Sequence, residues 1–515
     1  MAARVATVVV VIALALGCAH RLDRTLVSPR DAKTLDAKAP YLKAHLRSGY
    51  VYVLADWHAD SGGGVIRGRG RLLDANRAMV DSGEFRFPAE SVALFETNVV
   101  RPSGANAAIS VMAGVTATVA AICALSPKTC FGSCPTFYAP DSGGESLQAE
   151  AFSASIAPAL EATDLDMLYH ARPRSASFEL RVTNEALETH VIRFADVIAV
   201  PRPPLAGGRV FVTPDGVFRP ATGLESPSRC DAAEGDCRAA VQGFDRVERY
   251  SAADSVDLAA RETVDLEFDQ VPEGTLGLVV ASRQTLMTTY LIYQTLAYLG
   301  TQATTWLARL ETGGPMARGV ADELGRVLGK IEVLVPDSMG EWRVAGSVGE
   351  IGPIAVDTKI VPLPAASGRP LRVRLRLTRG LWRLEYVALA ALGDAVQPVR
   401  LRPEVVRHAG RADAAALRAL RALRERERPL VTLPGDEYEI GYQLPADYER
   451  YELFLEARGY YLEWLRREWL PEENAAAAVQ LVLQPRDALR ALAPAYKRQE
   501  AGMEHSFWNS RYARH

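Results

Sequence analysis

The sequence predicts a mainly β protein of the α+β class, with antiparallel strands joined by turns and a few helical segments. Three observations predict this class: apolar residues recur at period two, Gly- and Pro-rich turns separate these runs, and helical spacing is confined to short regions. The most regular run is LRVRLRLT at 371–378, where Leu and Val alternate with Arg. Such a strand buries one face and presents its arginines to water.

The amino terminus has the layout of a bacterial lipoprotein signal. Residues 1–17 carry an arginine, an apolar run and small residues before Cys18, which is the order found in secretory signals. The stretch Ala-Leu-Gly-Cys resembles a lipobox, so Cys18 is the predicted acylated first residue of the mature chain. Its acyl chains would give a stable anchor, because each buried methylene contributes roughly 0.8 kcal/mol. An ordinary signal peptide or an amino-terminal anchor helix is the alternative.

The segment after the signal is predicted to lead into a small β domain. Residues 18–40 are polar and are expected to tether the lipid to the first domain. Residues 41–100 hold three alternating segments separated by Gly-rich turns, which predicts a small antiparallel, barrel-like module. Residue 19 is Ala rather than Asp, which favours the outer membrane over the inner membrane of the cell envelope. Glycines 62–64 are interpreted as a hairpin turn rather than a phosphate cradle, because a strand follows them.

An uncharged run follows this module. Residues 102–127 carry no charge, but Ala, Gly, Ser and Thr dominate them. The run is long enough to cross a bilayer, yet its composition makes insertion only weakly favourable. We therefore expect 101–128 to form a hydrophobic helix packed between domains, with a true membrane span as the alternative.

The remaining chain is predicted to be mostly β-sandwich. Residues 129–402 are expected to form a jelly-roll-like sandwich with a helical insertion near 284–330, where the apolar spacing becomes helical. Residues 403–430 are rich in Arg and Ala and predict a solvent-exposed helix, or alternatively a helix lying on a membrane surface. Residues 431–515 predict a strand pair followed by carboxy-terminal helices.

The cysteines are interpreted as structural. Six are present, and five remain when one is assigned to lipid. In an exported protein near neighbours are expected to oxidise, which predicts the disulfides Cys130–Cys134 and Cys230–Cys237 and leaves Cys123 as a buried thiol. A four-thiolate zinc site is the alternative, although three and six intervening residues are poor spacings for it. A redox dithiol would have two intervening residues.

Sequence motifs for catalysis or metal binding are absent. There is no His-Glu-x-x-His, Gly-x-Ser-x-Gly or phosphate-loop pattern. Glu188 and His190 share one face of a predicted strand, but no third ligand accompanies them, and they are interpreted as solvent-facing. The net charge of −3 provides no global field for nucleic acid. We therefore predict no catalytic residue, no metal, no cofactor and no nucleic-acid partner.

Several longer stretches resemble a known group of proteins. They are CFGSCPTFY, FELRVTNEALETHVIRFADVIAVPRP, LRVRLRLTRGLWRLEYVAL and LPGDEYEIGYQLP. Together they resemble an uncharacterised group of bacterial lipoproteins with a Cys-Pro-aromatic β-domain, similar to the β-sandwich modules of TPR and FG-GAP envelope proteins. The resemblance covers roughly 129–465 and implies a sandwich fold without implying an activity. The TPR and propeller repeats of the longer relatives are absent from this sequence.

The sequence thus predicts a lipid-anchored cell-envelope protein that binds or scaffolds without catalysis. The membrane is contacted through the lipid, and the expected ligand is a glycan or another envelope protein. The aromatic residues Tyr460, Tyr461, Trp464 and Trp469 could form a contact surface, or alternatively the core of a terminal helix. Two other classes are a hydrolase with dispersed catalytic groups and a subunit of a transport or secretion assembly. Two acidic residues converging with a histidine would favour the hydrolase.

Overall fold

The chain is mainly β, as predicted, and forms two compact units. The computed structural model describes residues 20–27, 29–39, 41–46, 50–60, 62–73, 79–102, 134–156, 158–184, 188–205, 207–300, 323–349, 352–365, 369–421, 429–432, 436–463 and 472–511. The signal segment 1–17 and Cys18 lie outside these residues.

Six strands build the first unit: β1 (His20–Val27), β2 (Tyr41–Leu46), β3 (Val51–Ala59), β4 (Val65–Leu73), β5 (Met79–Pro88) and β6 (Val92–Pro102). They form one antiparallel sheet in the order β1-β6-β2-β3-β4-β5. Its core contains the fully buried side chains of Leu42, Leu54 and Phe95. The turn at 62–64 joins β3 to β4, and Gly63 takes the positive φ of 71° that glycine adopts without strain.

Two sequence predictions for this unit are corrected. The tether predicted at 18–40 is wrong where it is described, because residues 20–27 are β1 and pair with β6 along their whole length. Strand β1 is at the edge of the sheet, a position where charged residues are common in sequence. The helix predicted at 101–128 is wrong at its start, since Arg101 and Pro102 end β6. Residues 103–128 lie outside the described chain.

The second unit begins with two facing sheets. The outer sheet contains β7 (Thr136–Asp141), β8 (Gly144–Glu150), β10 (Ser177–Thr183), β25 (Val405–His408), β26 (Arg411–Ala412) and β28 (Glu437–Gln443). The central sheet contains β9 (Ala162–Met167), β11 (Glu188–Pro201), β24 (Val399–Leu401), β27 (Leu430–Thr432) and β29 (Tyr451–Glu463). Their shared core includes Phe137, Phe178, Ile440 and Leu455.

A small closed barrel packs on the other face of the central sheet. Its strands are β12 (Arg209–Val212), β13 (Phe218–Glu225), β18 (Leu276–Gln284), β21 (Asp357–Pro362) and β23 (Trp382–Leu392). The ring closes because β13 pairs with both β12 and β23. Ile198, Val200 and Phe454 of the central sheet pack into the barrel-side core. The central sheet is therefore buried on both faces, which explains why residues 195–200 are all buried instead of alternating.

The last sheet of the second unit contains β14 (Arg229–Ala232), β15 (Gly235–Asp236), β17 (Arg261–Phe268), β19 (Ile331–Pro336), β20 (Trp342–Val348) and β22 (Leu371–Thr378). The short strand β16 (Arg249–Tyr250) instead extends the barrel by pairing with β23. The strand predicted at 371–378 is confirmed as β22. Its arginines are partly paired, since Arg374 and Arg376 contact Asp265 and Glu332 on neighbouring strands.

The described residues include the helices α1 (Met287–Leu299), α2 (Ala414–Arg421), α3 (Ala475–Leu483) and α4 (Pro485–Arg511). Among the described helices none is long and apolar enough to cross a membrane. The helix α1 lies in the predicted insertion near 284–330.

The helix predicted at 403–430 is wrong in extent and exposure. The β-branched pair Val405 and Val406 opens strand β25, and helix α2 begins only after Asp413. The Asp413 carboxylate accepts the N–H groups of Ala415 and Ala416 at 2.9 Å each, which caps the helix. Leu420 is buried in the core of the outer and central sheets, so one face of α2 is not solvated.

The strand pair predicted within 431–515 is also corrected. The two strands exist as β28 and β29, but they do not pair with each other. Strand β28 pairs with β10 and β25 in the outer sheet, whereas β29 pairs with β11 and β9 in the central sheet. The connection between them crosses from one layer of the sandwich to the other.

Candidate functional site

The cysteines support one predicted disulfide. Cys230 and Cys237 are joined by a disulfide bond, as predicted. Cys134 is buried beside strand β7, while Cys130 and Cys123 lie outside the described residues. The Cys130–Cys134 disulfide therefore stays a prediction. In the described chain no group of three or more His, Cys, Asp and Glu side chains is placed to hold a metal ion.

Glu188 and His190 are buried, so their predicted solvent-facing position is wrong. Both side chains have no exposed surface, and His190 Nε2 lies 2.7 Å from Glu188 Oε1. They share one face of β11, as predicted. Strand β11 belongs to the central sheet, and both faces of that sheet are covered by other strands. Tyr460 and Tyr461 on β29 are buried too, which excludes them from a contact surface; Trp464 and Trp469 lie outside the described residues.

A more accessible group of polar and aromatic residues lies where the barrel meets the turn after β9. We call it the bulge site and define it by Glu385, Arg246, Phe244, Tyr169 and His170. These residues come from strand β23, from the loop that precedes β16, and from the turn after β9. Their proximity is created by tertiary structure, because the three segments are far apart in sequence.

A β-bulge positions Glu385. Tyr386 pairs with Ala281 and Leu384 pairs with Ser282, so Glu385 is the extra residue between two consecutive residues of β18. A bulge of this kind bends the strand and redirects one side chain. The carboxyl of Glu385 accepts the backbone N–H of Arg246 at 2.6 Å.

Arg246 has an unusual backbone for a residue with a side chain. Its φ is 67°, in the left-handed region that costs a non-glycine residue on the order of 1–3 kcal/mol. This conformation directs the N–H to Glu385 while the guanidinium stays 57% exposed. The guanidinium contacts the Asp141 carboxylate, at the end of β7, at a distance of 3.4 Å. Strained backbone of this type is concentrated at binding and catalytic sites.

The environment of Glu385 shifts its protonation toward neutral pH. The residue is 2% exposed, and burial raises the pKa of its carboxyl to about 7. The nearby carboxylates of Glu248 and Asp245 raise this pKa further, while the hydrogen bond from Arg246 opposes them. Glu248 is itself held by Arg283 through contacts of 2.5 and 2.6 Å. Glu385 can therefore gain or lose a proton near neutrality.

On the other side of the site, the pKa values of His170 and Asp141 are lowered rather than raised. Burial, followed by the guanidiniums of Arg246 and Arg172, lowers the pKa of His170 to about 4, so this imidazole is neutral at neutral pH. A hydrogen bond with Ser146 lowers the pKa of the Asp141 carboxyl, and the charge of Arg246 adds to that effect. Two carboxyls that contact Arg246, Asp141 and Glu385, are thus shifted in opposite directions.

A column of aromatic rings holds the site together. The Tyr169 and Phe244 rings stack with centroids 3.4 Å apart, and the Phe244 and Tyr386 centroids are 4.4 Å apart. The Arg209 guanidinium covers the other face of Tyr169 at 4.2 Å. Arg209 is fixed by Glu452, whose buried carboxylate it contacts at 2.7 and 2.8 Å. Because neighbouring groups cover these faces, a ligand would meet the ring edges and the polar groups beside them.

The turn after β9 is anchored to the β7–β8 hairpin by two backbone donors. The N–H of Arg172 bonds to the Pro140 carbonyl at 2.7 Å, and the N–H of His170 bonds to Gln148 Oε1 at 3.1 Å. These bonds place His170 and Arg172 beside Asp141. The turn that carries Tyr169 and His170 is therefore attached to the β7–β8 hairpin.

A second group of charges is buried between β9 and β21. Lys359 Nζ lies 2.5 Å from Asp357 Oδ2 and donates to the Leu165 carbonyl at 2.6 Å. Burial and then the Asp357 charge raise the pKa of the neighbouring Asp166 carboxyl well above its ordinary value. These contacts join the central sheet to the barrel, and the cluster is interpreted as a structural connection.

The sequence contained one signal for the bulge site that motif reasoning missed. Glu385 is the only acidic residue in the apolar run LWRLEYVALAAL. A carboxyl among buried residues is costly unless it is bonded or protonated, so its presence there requires a specific reason. The positive φ of Arg246 and the neighbouring Tyr169 have no comparable sequence signal.

No protein-family model, no curated protein and no solved structure is found to match this chain.

Proposed function

We propose that this chain is a lipid-anchored bacterial cell-envelope protein, of the lipoprotein group it resembles, that binds a glycan at the bulge site without catalysis. The observation that carries the binding role is Arg246, a strained residue whose backbone N–H bonds to the buried Glu385 carboxyl while its exposed guanidinium contacts Asp141. Guanidinium and carboxyl groups placed this way are suited to hydrogen-bonding the hydroxyl groups of a sugar.

Export to the envelope is supported by the cysteine chemistry. The disulfide between Cys230 and Cys237 suits an oxidising compartment outside the cytoplasm. With Ala19 alone between Cys18 and β1, acylation would place the first unit directly at the membrane surface. The outer membrane is the favoured location because residue 19 is not Asp.

The Cys18→Ser variant tests the anchor. Cells expressing it and fed labelled palmitate are expected to yield an unlabelled protein that fractionates away from membranes, because the acylated thiol is gone. The matched control is Cys123→Ser, which should keep the label and the membrane fraction. A Cys18→Ser protein that retains palmitate would refute the lipid anchor.

A hydrolase is the second candidate, because Glu385 and Asp141 have pKa values shifted in opposite directions beside His170. Glu385 would protonate the leaving oxygen as the glycosidic C–O bond breaks. Asp141 would take the proton of the water that attacks the anomeric carbon.

The hydrolase predicts that purified protein releases reducing ends from envelope glycans and that Glu385→Gln abolishes this release while glycan binding persists. The exposed Glu273→Gln variant serves as the control and should behave like the wild type. Binding without any release by the wild-type protein would leave the non-catalytic proposal standing and remove the hydrolase.

A further inference from the structure

The charges around His170 are unbalanced. The charges with the largest influence on the pKa of this ring are the guanidiniums of Arg246, Arg172 and Arg209, which lower it, and the carboxylate of Asp141, which raises it. Arg209 is paired with the buried Glu452 carboxylate, which also contacts Arg202 at 3.2 Å. Arg172 is exposed and donates through Nη1 to two backbone carbonyls at 2.9 Å each, which fixes its position without neutralising its charge.

Arg246 is paired with a carboxylate more loosely than Arg209 is. Its contact with Asp141 is 3.4 Å long, whereas Arg209 lies 2.7 Å from its carboxylate. The Asp141 carboxylate meanwhile accepts the Gly143 N–H at 2.7 Å, so it keeps a donor when Arg246 turns away. An incoming anion can thus replace Asp141 at the guanidinium without leaving a buried charge unpaired.

We propose that Arg246 and Arg172 bind the acidic group of the ligand beside the His170 ring, so that the glycan is a uronate-bearing saccharide. This inference rests on the proposed glycan-binding function and adds the charge of the ligand. Charged hydrogen bonds between guanidinium and carboxylate are about twice as strong as those between neutral groups. The edges of the Tyr169 and Phe244 rings carry the positive end of the ring quadrupole and suit a nearby anion.

Calorimetric titration of the detergent-solubilised full chain at low salt tests this assignment. The probes are trigalacturonate and neutral maltotriose. The wild-type protein is expected to bind the uronate about tenfold tighter, and the Arg246→Gln variant to lose about tenfold of that affinity. The glutamine keeps the backbone N–H that bonds to Glu385. The Asp141→Asn variant should bind the uronate several-fold tighter, because the competing carboxylate is gone.

The matched control is Arg343→Gln. Arg343 is likewise exposed and paired with one aspartate, Asp337, but it lies on strand β20 away from the site. Its substitution should leave uronate affinity unchanged. Uronate and neutral sugar bound equally well, or Arg246→Gln binding like the wild type, would overturn this inference while leaving glycan binding intact. Absence of binding to both saccharides would overturn the proposed function itself. Inorganic phosphate displacing trigalacturonate at equal concentration would overturn the saccharide assignment.

Discussion

Replacing Arg249 with methionine is expected to lower the free energy of unfolding by about 3–5 kcal/mol, the range seen when one partner of a buried ion pair is removed. Arg249 is 3% exposed, and its guanidinium donates to Glu262 at 2.7 and 3.0 Å and to Glu234 at 2.6 and 2.9 Å. Within the part of the chain that the structure describes, the buried Glu262 carboxylate then keeps the Ser251 hydroxyl as its hydrogen-bond donor. Urea denaturation followed by circular dichroism measures the change.

The control for this prediction is Arg229→Met. Arg229 is 63% exposed and forms a surface pair with Asp231, so its loss should change stability by less than about 1 kcal/mol. Adding Glu262→Gln to Arg249→Met should recover part of the lost stability, because the unpaired charge is then removed. Equal effects of the two arginine substitutions would show that the Arg249 network contributes no more than a surface pair.

The Glu385→Gln variant is expected to be more stable than the wild type above pH 7, by up to about 3 kcal/mol. The folded protein has a Glu385 pKa of about 7, above the ordinary value of 4.5. The folded state therefore binds the proton more tightly than the unfolded state, and this contribution to stability is lost as pH rises from 4.5 through 7. This increase in pKa corresponds to about 3 kcal/mol, because each unit of pKa difference between the folded and unfolded states is equivalent to about 1.36 kcal/mol. Glutamine keeps the oxygen that accepts the Arg246 N–H.

The measurement is the difference in unfolding free energy between variant and wild type at pH 5 and pH 8. The difference should be small at pH 5 and reach its full value at pH 8. The exposed Glu273→Gln variant should show no comparable trend. A stability difference for Glu385→Gln that does not change with pH would show that this carboxyl titrates normally in the folded chain.

Local sequence patterns predicted where the strands of this protein lie better than they predicted which strands pair with each other. The alternation at 371–378 identified β22 because one face of that strand is buried and the other is at least partly exposed to solvent. The same reasoning paired β28 with β29 because they are neighbours in sequence, although each joins a different layer. The polar composition of residues 20–27 predicts a tether. The segment forms a strand instead, because a strand at the edge of a sheet need not be apolar.

The candidate site was less predictable than the fold, for a physical reason. Glu385 is conspicuous in its apolar strand, but its bulge arises from pairing with β18, about a hundred residues earlier. Glu188 and His190 were assigned to solvent because alternation indicates a wet face only when one face of the sheet is exposed. That assumption fails in the central sheet, which is covered on both sides.

The position of β29 in the central sheet has a consequence for biosynthesis. This strand pairs with β11, some 260 residues earlier, and its side chains enter both adjoining cores. Neither hydrophobic interior can be completed until residues 451–463 have been synthesised, because β29 contributes side chains to both of them. Such long-range pairing slows folding, and partly folded intermediates that expose apolar surface are prone to aggregation.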